Sequence, residues 1–327
     1  MNQQLFTHLH HEGYISDAEL QQVLDHKHKP TSIYWDVKTL LYLGVLMLTT
    51  GLGIVIYKNI DTIGHLAIVI FIALATISCF LYCTFKTAGY SNKEVQPPNL
   101  LYEYILLAGS LLLLIFIGYI QYQYQVFGHR WGMATFVPMV ILFFSAYYFD
   151  SLAVLSLAII NLAAWLGISV TPLHLLQQND FSSERLIYTG IMLGILLMVL
   201  SFFSLRMNIK RHFSFTYKNL GTHVLFVATL SAMFHFSNYW MYLLLLVAIS
   251  AFHFWQALRE SSFYFWVLAT IYCYIGLSYT FTELVTSMGS RSTLPFYLIF
   301  FYFILSSIGL VFFLIHYNRI IKKNDSL

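Results

Sequence analysis

The chain has 327 residues, of which 59% are hydrophobic and only 9% charged, with a formal net charge of +3. Soluble domains carry about 25% charged residues, and 17 basic plus 14 acidic side chains cannot cover a globule of this size. The composition excludes a soluble enzyme, a disordered chain and a nucleic-acid-binding protein. It points to an all-α, polytopic membrane protein whose partner over most of its surface is the lipid bilayer.

Residues 1–38 lack a basic stretch followed directly by an apolar core, so no cleavable signal peptide is expected there. They read as a short cytoplasmic helical hairpin and linker. Leu5, Phe6 and Leu9 line one helix face, and Gly13 breaks that helix. Ser16 with Glu19 three residues on is a capping box, flanked by the hydrophobic staple Ile15 and Leu20. So short a pair buries little surface alone. It is expected to pack on the membrane domain, on a second copy of the chain or on a protein partner. His8 and His11 share a helix face at a spacing used by metal ligands. No cysteine or H-E-x-x-H accompanies them in this segment, so a solvated face is expected, with no metal and no cofactor.

A hairpin with a Gly-x-Ile-Ser turn (Gly13, Tyr14, Ile15, Ser16) ahead of a many-span domain resembles an uncharacterised family of predicted bacterial membrane proteins, catalogued as a domain of unknown function. The resemblance rests on the motif over the first 30 residues and on layout beyond them. It implies a bacterial cytoplasmic-membrane location. It brings no activity, so no functional residue carries over.

About ten transmembrane helices follow within residues 39–316, each needing about 20 mostly apolar residues. They are expected near 39–57, 62–85, 101–120, 131–149, 152–172, 186–205, 219–236, 239–257, 262–284 and 294–316. The two-residue links Asp150–Ser151 and Ser237–Asn238 force antiparallel hairpins of spans four with five and seven with eight. Residues 317–327 form a basic tail.

Basic residues collect on the cytoplasmic side of spanning proteins. With both termini cytoplasmic, the inner segments hold Lys27, Lys29, Lys38, Lys86, Lys93, Arg206, Lys210, Arg211, Lys218, Arg259, Arg319, Lys322 and Lys323. The outer segments hold only Lys58, Arg130, Arg185 and Arg291. Rings expected at the headgroup level include Trp131, Tyr239, Trp240 and Trp255.

Polar residues at membrane depth are the pointers to function, because placing them in lipid is unfavourable. Asn161 lies at the centre of span five, where an amide can bind a neighbouring helix or a ligand. Glu103, His223 and His253 fall towards the inner ends of spans three, seven and eight, where they could relay protons or carry out chemistry. His235 and Glu283 fall towards the outer ends of spans seven and nine and are, with Asn161, the candidate ligand-binding residues. Gly190 and Gly194 form a G-x-x-x-G step, and Ala163 and Gly167 a small-x-x-x-small step, both suited to close helix packing. Pro138 should kink span four. Cys79, Cys83 and Cys273 lie in apolar runs and should act as small hydrophobes.

There is no G-x-x-x-x-G-K-[ST], H-E-x-x-H or G-x-S-x-G motif. Three classes remain. One is an accessory or partner-binding membrane subunit. Another is a secondary transporter of a small solute, which would show superimposable halves around a midplane cavity. The last is a membrane-embedded enzyme using Glu103, His223 and His253.

Overall fold

A computed structural model describes residues 12, 16, 34–58, 64–170, 183–287 and 294–325. The hairpin expected over residues 1–38 lies outside them, except that the first helix already begins at Tyr34. The chain divides into two units, residues 1–58 and residues 59–327.

In the first unit the described helix is α1 (Tyr34–Lys58). Asp36 in its first turn and Lys58 in its last both complement the helix dipole. Leu40, Met47 and Leu48 are about two-thirds exposed, as lipid-facing side chains are. Thr49 returns its hydroxyl hydrogen to a carbonyl of the preceding turn, Val45 O at 2.9 Å, which leaves no free donor in the apolar stretch.

The second unit holds nine helices among the described residues: α2 (His65–Lys86), α3 (Leu100–Tyr124), α4 (Trp131–Phe149), α5 (Leu152–Val170), α6 (Glu184–Met207), α7 (Phe213–His235), α8 (Tyr239–Arg259), α9 (Phe263–Ser287) and α10 (Leu294–Asp325). No β-strand occurs among the described residues. Each helix covers one of the expected spans, and α10 runs on past residue 316 to Asp325.

The packing follows the chain. Helices α2 with α3, α4 with α5, and α6 with α7 lie along one another, and α7–α8, α8–α9 and α9–α10 continue the series. One apolar core gathers Leu106 from α3, Leu142 from α4, Leu155 from α5, Leu197 from α6 and Phe213 from α7. A second gathers Phe226, Met233, Leu246 and Ala269 from α7, α8 and α9.

Nine of the ten described helices are long and apolar enough to cross a membrane, and α7 is the exception. It carries Ser214, Thr216, Lys218, Thr222 and Thr229, all buried. More of its residues are buried than in any other described helix. A helix enclosed by protein need not present an apolar surface to lipid, so α7 can be polar where its neighbours cannot. The G-x-x-x-G step explains how α7 is held. A β-carbon on Gly194 would lie 2.7 Å from the Leu225 β-carbon and 2.8 Å from its Cα, and one on Gly190 would lie 3.0 Å from the Ala228 β-carbon. The small residues therefore serve contact between α6 and α7.

Asn161 in α5 is helix glue. Its Nδ2 donates to the carbonyl of Thr135 in α4 at 2.7 Å. Pro138 lies one turn further on and leaves that stretch of α4 one amide short. The carbonyl that loses its donor to the proline is that of Ala134, and Asn161 bonds the next one along, bracing α4 beside the gap. Asn161→Leu is expected to lower stability by about 1 kcal/mol, the scale of interhelical hydrogen bonds in membranes. Unfolding of the detergent-solubilised protein checks this, and an unchanged midpoint would refute the role.

Candidate functional site

One end of the second unit is basic. It carries Lys86, Lys93, Arg206, Lys210, Arg211, Lys218 and Arg259, whereas Arg130 and Arg185 lie at the other end. Long-range bonds draw the basic-end loops together, and two polar clusters form there.

The first cluster lies on α7 and α8. Lys218, only 5% exposed, donates from Nζ to Glu260 Oε2 at 2.5 Å. Its ammonium also lies 4.2 Å from the centre of the Phe265 ring, a cation–π contact. Gln256 Nε2 holds the other carboxylate oxygen of Glu260 at 2.8 Å. One turn along α7, Thr222 Oγ1 lies 3.0 Å from His253 Nε2. His253 Nδ1 lies 2.9 Å from the Ile249 carbonyl, and Thr222 Oγ1 also lies 2.7 Å from the Lys218 carbonyl.

These distances constrain the hydrogens. A carbonyl only accepts, so His253 Nδ1 carries a hydrogen and donates it to Ile249. In the neutral ring Nε2 is then an acceptor and takes the Thr222 hydroxyl hydrogen. When that hydrogen turns instead to the Lys218 carbonyl, the neutral ring keeps its Nε2 lone pair without that donor. Thr222, His253 and the Lys218 carbonyl thus share one hydroxyl hydrogen in a single buried trio.

His223, the neighbour of Thr222, points elsewhere: its Nδ1 lies 2.7 Å from the Tyr272 hydroxyl on α9. The Tyr272 ring stacks on Phe226, with centres 4.9 Å apart, and Phe226 lies 5.2 Å from the His253 ring.

The second cluster was not anticipated. Asp150 makes the α4–α5 turn in the left-handed region, at φ 60°. Its Oδ2 accepts from the Val95 amide at 2.5 Å. Its Oδ1 faces His212 Nε2 at 2.8 Å and Lys210 Nζ at 2.7 Å. Lys210 is fully buried, and its approach to Asp150 is off the hydrogen-bond direction, so this contact is an ion pair. The ammonium also lies 5.5 Å from the Tyr90 ring centre and 5.8 Å from that of Phe213. The Lys210 amide donates to Asn92 O at 2.8 Å. One carboxylate thus ties the α2–α3 and α6–α7 loops to the α4–α5 turn. The only hint in the sequence is an acidic residue standing alone in a two-residue link among basic loops.

The three residues considered for catalysis line three different cavities. Glu103 borders a small polar one of about 20 Å³ beside Asp150, Thr87 and Tyr102. His223 borders one of about 640 Å³ between α5, α6 and α7. His253 borders a groove of about 520 Å³ between α6, α7 and α8, together with Lys218, Gln256 and Ser201. Asn161 is occupied by Thr135, as described, and His235 and Glu283 are exposed near the opposite end of the bundle. No group of three or more His, Cys, Asp or Glu side chains placed to hold a metal ion occurs among the described residues.

Fold and composition together define a multi-pass, all-α integral membrane protein. Residues 7–155 match the model of a family described as "Predicted membrane protein (DUF2157)". The matched stretch runs from before α1 to the first residues of α5, and the α6–α8 groove lies beyond it. No curated protein and no solved structure matches the chain.

Proposed function

We propose that this is a ligand-binding membrane protein of the DUF2157 type along its whole length, with its basic end in the cytoplasm and its binding site in the α6–α8 groove. The orientation is supported by the excess of Lys and Arg at one end of the bundle. The observation that carries the binding reading is the Lys218–Thr222–His253 cluster: two ionisable side chains, each at most 5% exposed, one on α7, the most enclosed of the described helices, and one on α8 beside it, bordering a groove large enough for a small molecule. Binding is favoured over catalysis because Glu103, His223 and His253 border separate cavities.

Protein purified from its own membrane in mild detergent should retain a small molecule that mass spectrometry detects after denaturation. Thr222→Val preserves side-chain shape while removing the hydroxyl that holds His253, and it should lower retention at least five-fold. Wild-type protein that retains nothing, or a variant that retains as much as wild type, would refute the reading.

A further inference from the structure

We infer that the occupant of the α6–α8 groove is an acyl chain of an anionic lipid, entering sideways from the leaflet at the basic end; this rests on the binding reading above. Three observations lead there.

The first is length and depth. The groove begins at Ile195, Leu225 and Ala248, halfway along their helices, and ends at Leu205, Lys218 and Gln256 at the basic end. Ten residues of α6 separate Ile195 from Leu205, about 15 Å at 1.5 Å per residue. That is half of the roughly 30 Å hydrocarbon core, the depth of one leaflet.

The second is access. Phe202 and Phe252 stand on the two flanking helices and are 59% and 48% exposed on the lipid-facing surface. The groove therefore opens sideways between α6 and α8. Its walls along most of their length are apolar, as an acyl chain requires.

The third is charge at the mouth. Arg206 directly follows the wall residue Leu205, and Arg259 lies one turn beyond Gln256 on α8; both are exposed. With Lys218 they set three cations against the single carboxylate of Glu260, which is 41% exposed. A headgroup at this level meets net positive charge, and basic residues near the membrane surface attract anionic lipid. His253 has both ring nitrogens engaged within the protein, so it forms part of the wall.

The test uses the full chain in detergent, titrated with phosphatidylglycerol or phosphatidylcholine of identical acyl chains and observed by native mass spectrometry. Wild type should hold one phosphatidylglycerol at least five-fold more tightly than phosphatidylcholine. Ala248 is an exposed wall residue of the groove, so Ala248→Trp adds its ring to that space. This variant should melt as wild type does and bind both lipids at least ten-fold more weakly. Arg206→Gln with Arg259→Gln should cut the preference for phosphatidylglycerol to less than two-fold. Equal binding of the two lipids, abolished by Ala248→Trp, would overturn the anionic assignment while leaving a binding groove. Unaltered lipid binding by Ala248→Trp would overturn the groove as the site. Displacement of phosphatidylglycerol by millimolar inorganic phosphate would show that the head alone is recognised and would overturn the acyl-chain assignment.

Discussion

Asp150→Asn is expected to destabilise the protein by about 3 kcal/mol, and Asp150→Ala by more. Removing one partner of a buried ion pair costs about 3–5 kcal/mol, because the other charge is left without compensation in a place water does not reach. Lys210 is that other charge, fully buried between Tyr90 and Phe213. Asparagine keeps an acceptor for the Val95 amide and tolerates the left-handed backbone at φ 60°; alanine does neither, and the left-handed conformation adds about 1–2 kcal/mol. Replacing the pair by neutral groups should reverse most of the loss, since an apolar substitute of similar volume has no charge to desolvate. Asp150→Asn with Lys210→Met should therefore return to within about 1 kcal/mol of wild type. Chemical unfolding in mixed micelles, followed by tryptophan fluorescence, measures all three. Asp150→Asn unfolding at the wild-type midpoint would show that the carboxylate does not clamp the three loops.

The spans were legible in the sequence because lipid imposes a single strong condition, an apolar run of sufficient length, and each run met it locally. The start of α7 shows where that condition fails. Expected near residue 219, the helix begins at Phe213, because Lys218 reads as a loop cation until its partner is known. Glu260 lies 42 residues away, and nothing local marks the pair. The Asp150 cluster was hidden for the same reason: Val95 and His212 reach it from 55 and 62 residues away, from loops on either side.

Asn161 and Pro138 were each visible, and their relation was within reach. A turn at Asp150–Ser151 sets residue 161 about level with residue 140, one turn from the proline-weakened stretch that Asn161 supports. The candidate trio of Glu103, His223 and His253 rested on similar depth and on the forced pairing of spans seven and eight. Depth fixes a residue's height in the bilayer but not the direction its side chain takes around the helix axis. Thr222 and His223, adjacent on α7, turn to α8 and α9 respectively.

Gly194→Val is expected to cost about 3 kcal/mol, the upper end of the range for overpacking a close contact. What matters is the kind of atom it meets. A β-carbon there lies 2.8 Å from both Cα and N of Leu225, so the obstruction is backbone and no rotamer change relieves it. The α6 and α7 axes must separate, and Gly221, which would meet the Leu197 β-carbon at 2.9 Å, loses its contact in the same movement. Trimming the partner cannot rescue the variant: Leu225→Ala leaves the obstructing Cα and N in place. Gly276→Ala gives the contrast, since the atoms around it are the ends of the Leu246, Leu230 and Met233 side chains, which can turn aside. It should cost no more than about 1 kcal/mol. Gly118 has nothing within 4 Å, and Gly118→Val should change stability by less than about 0.5 kcal/mol. Unfolding midpoints of the four variants order these effects. Because α6 and α7 also form two walls of the α6–α8 groove, Gly194→Val should release bound lipid in proportion to its loss of stability. Equal midpoints for Gly194→Val and Gly118→Val would show that the helices do not depend on that approach.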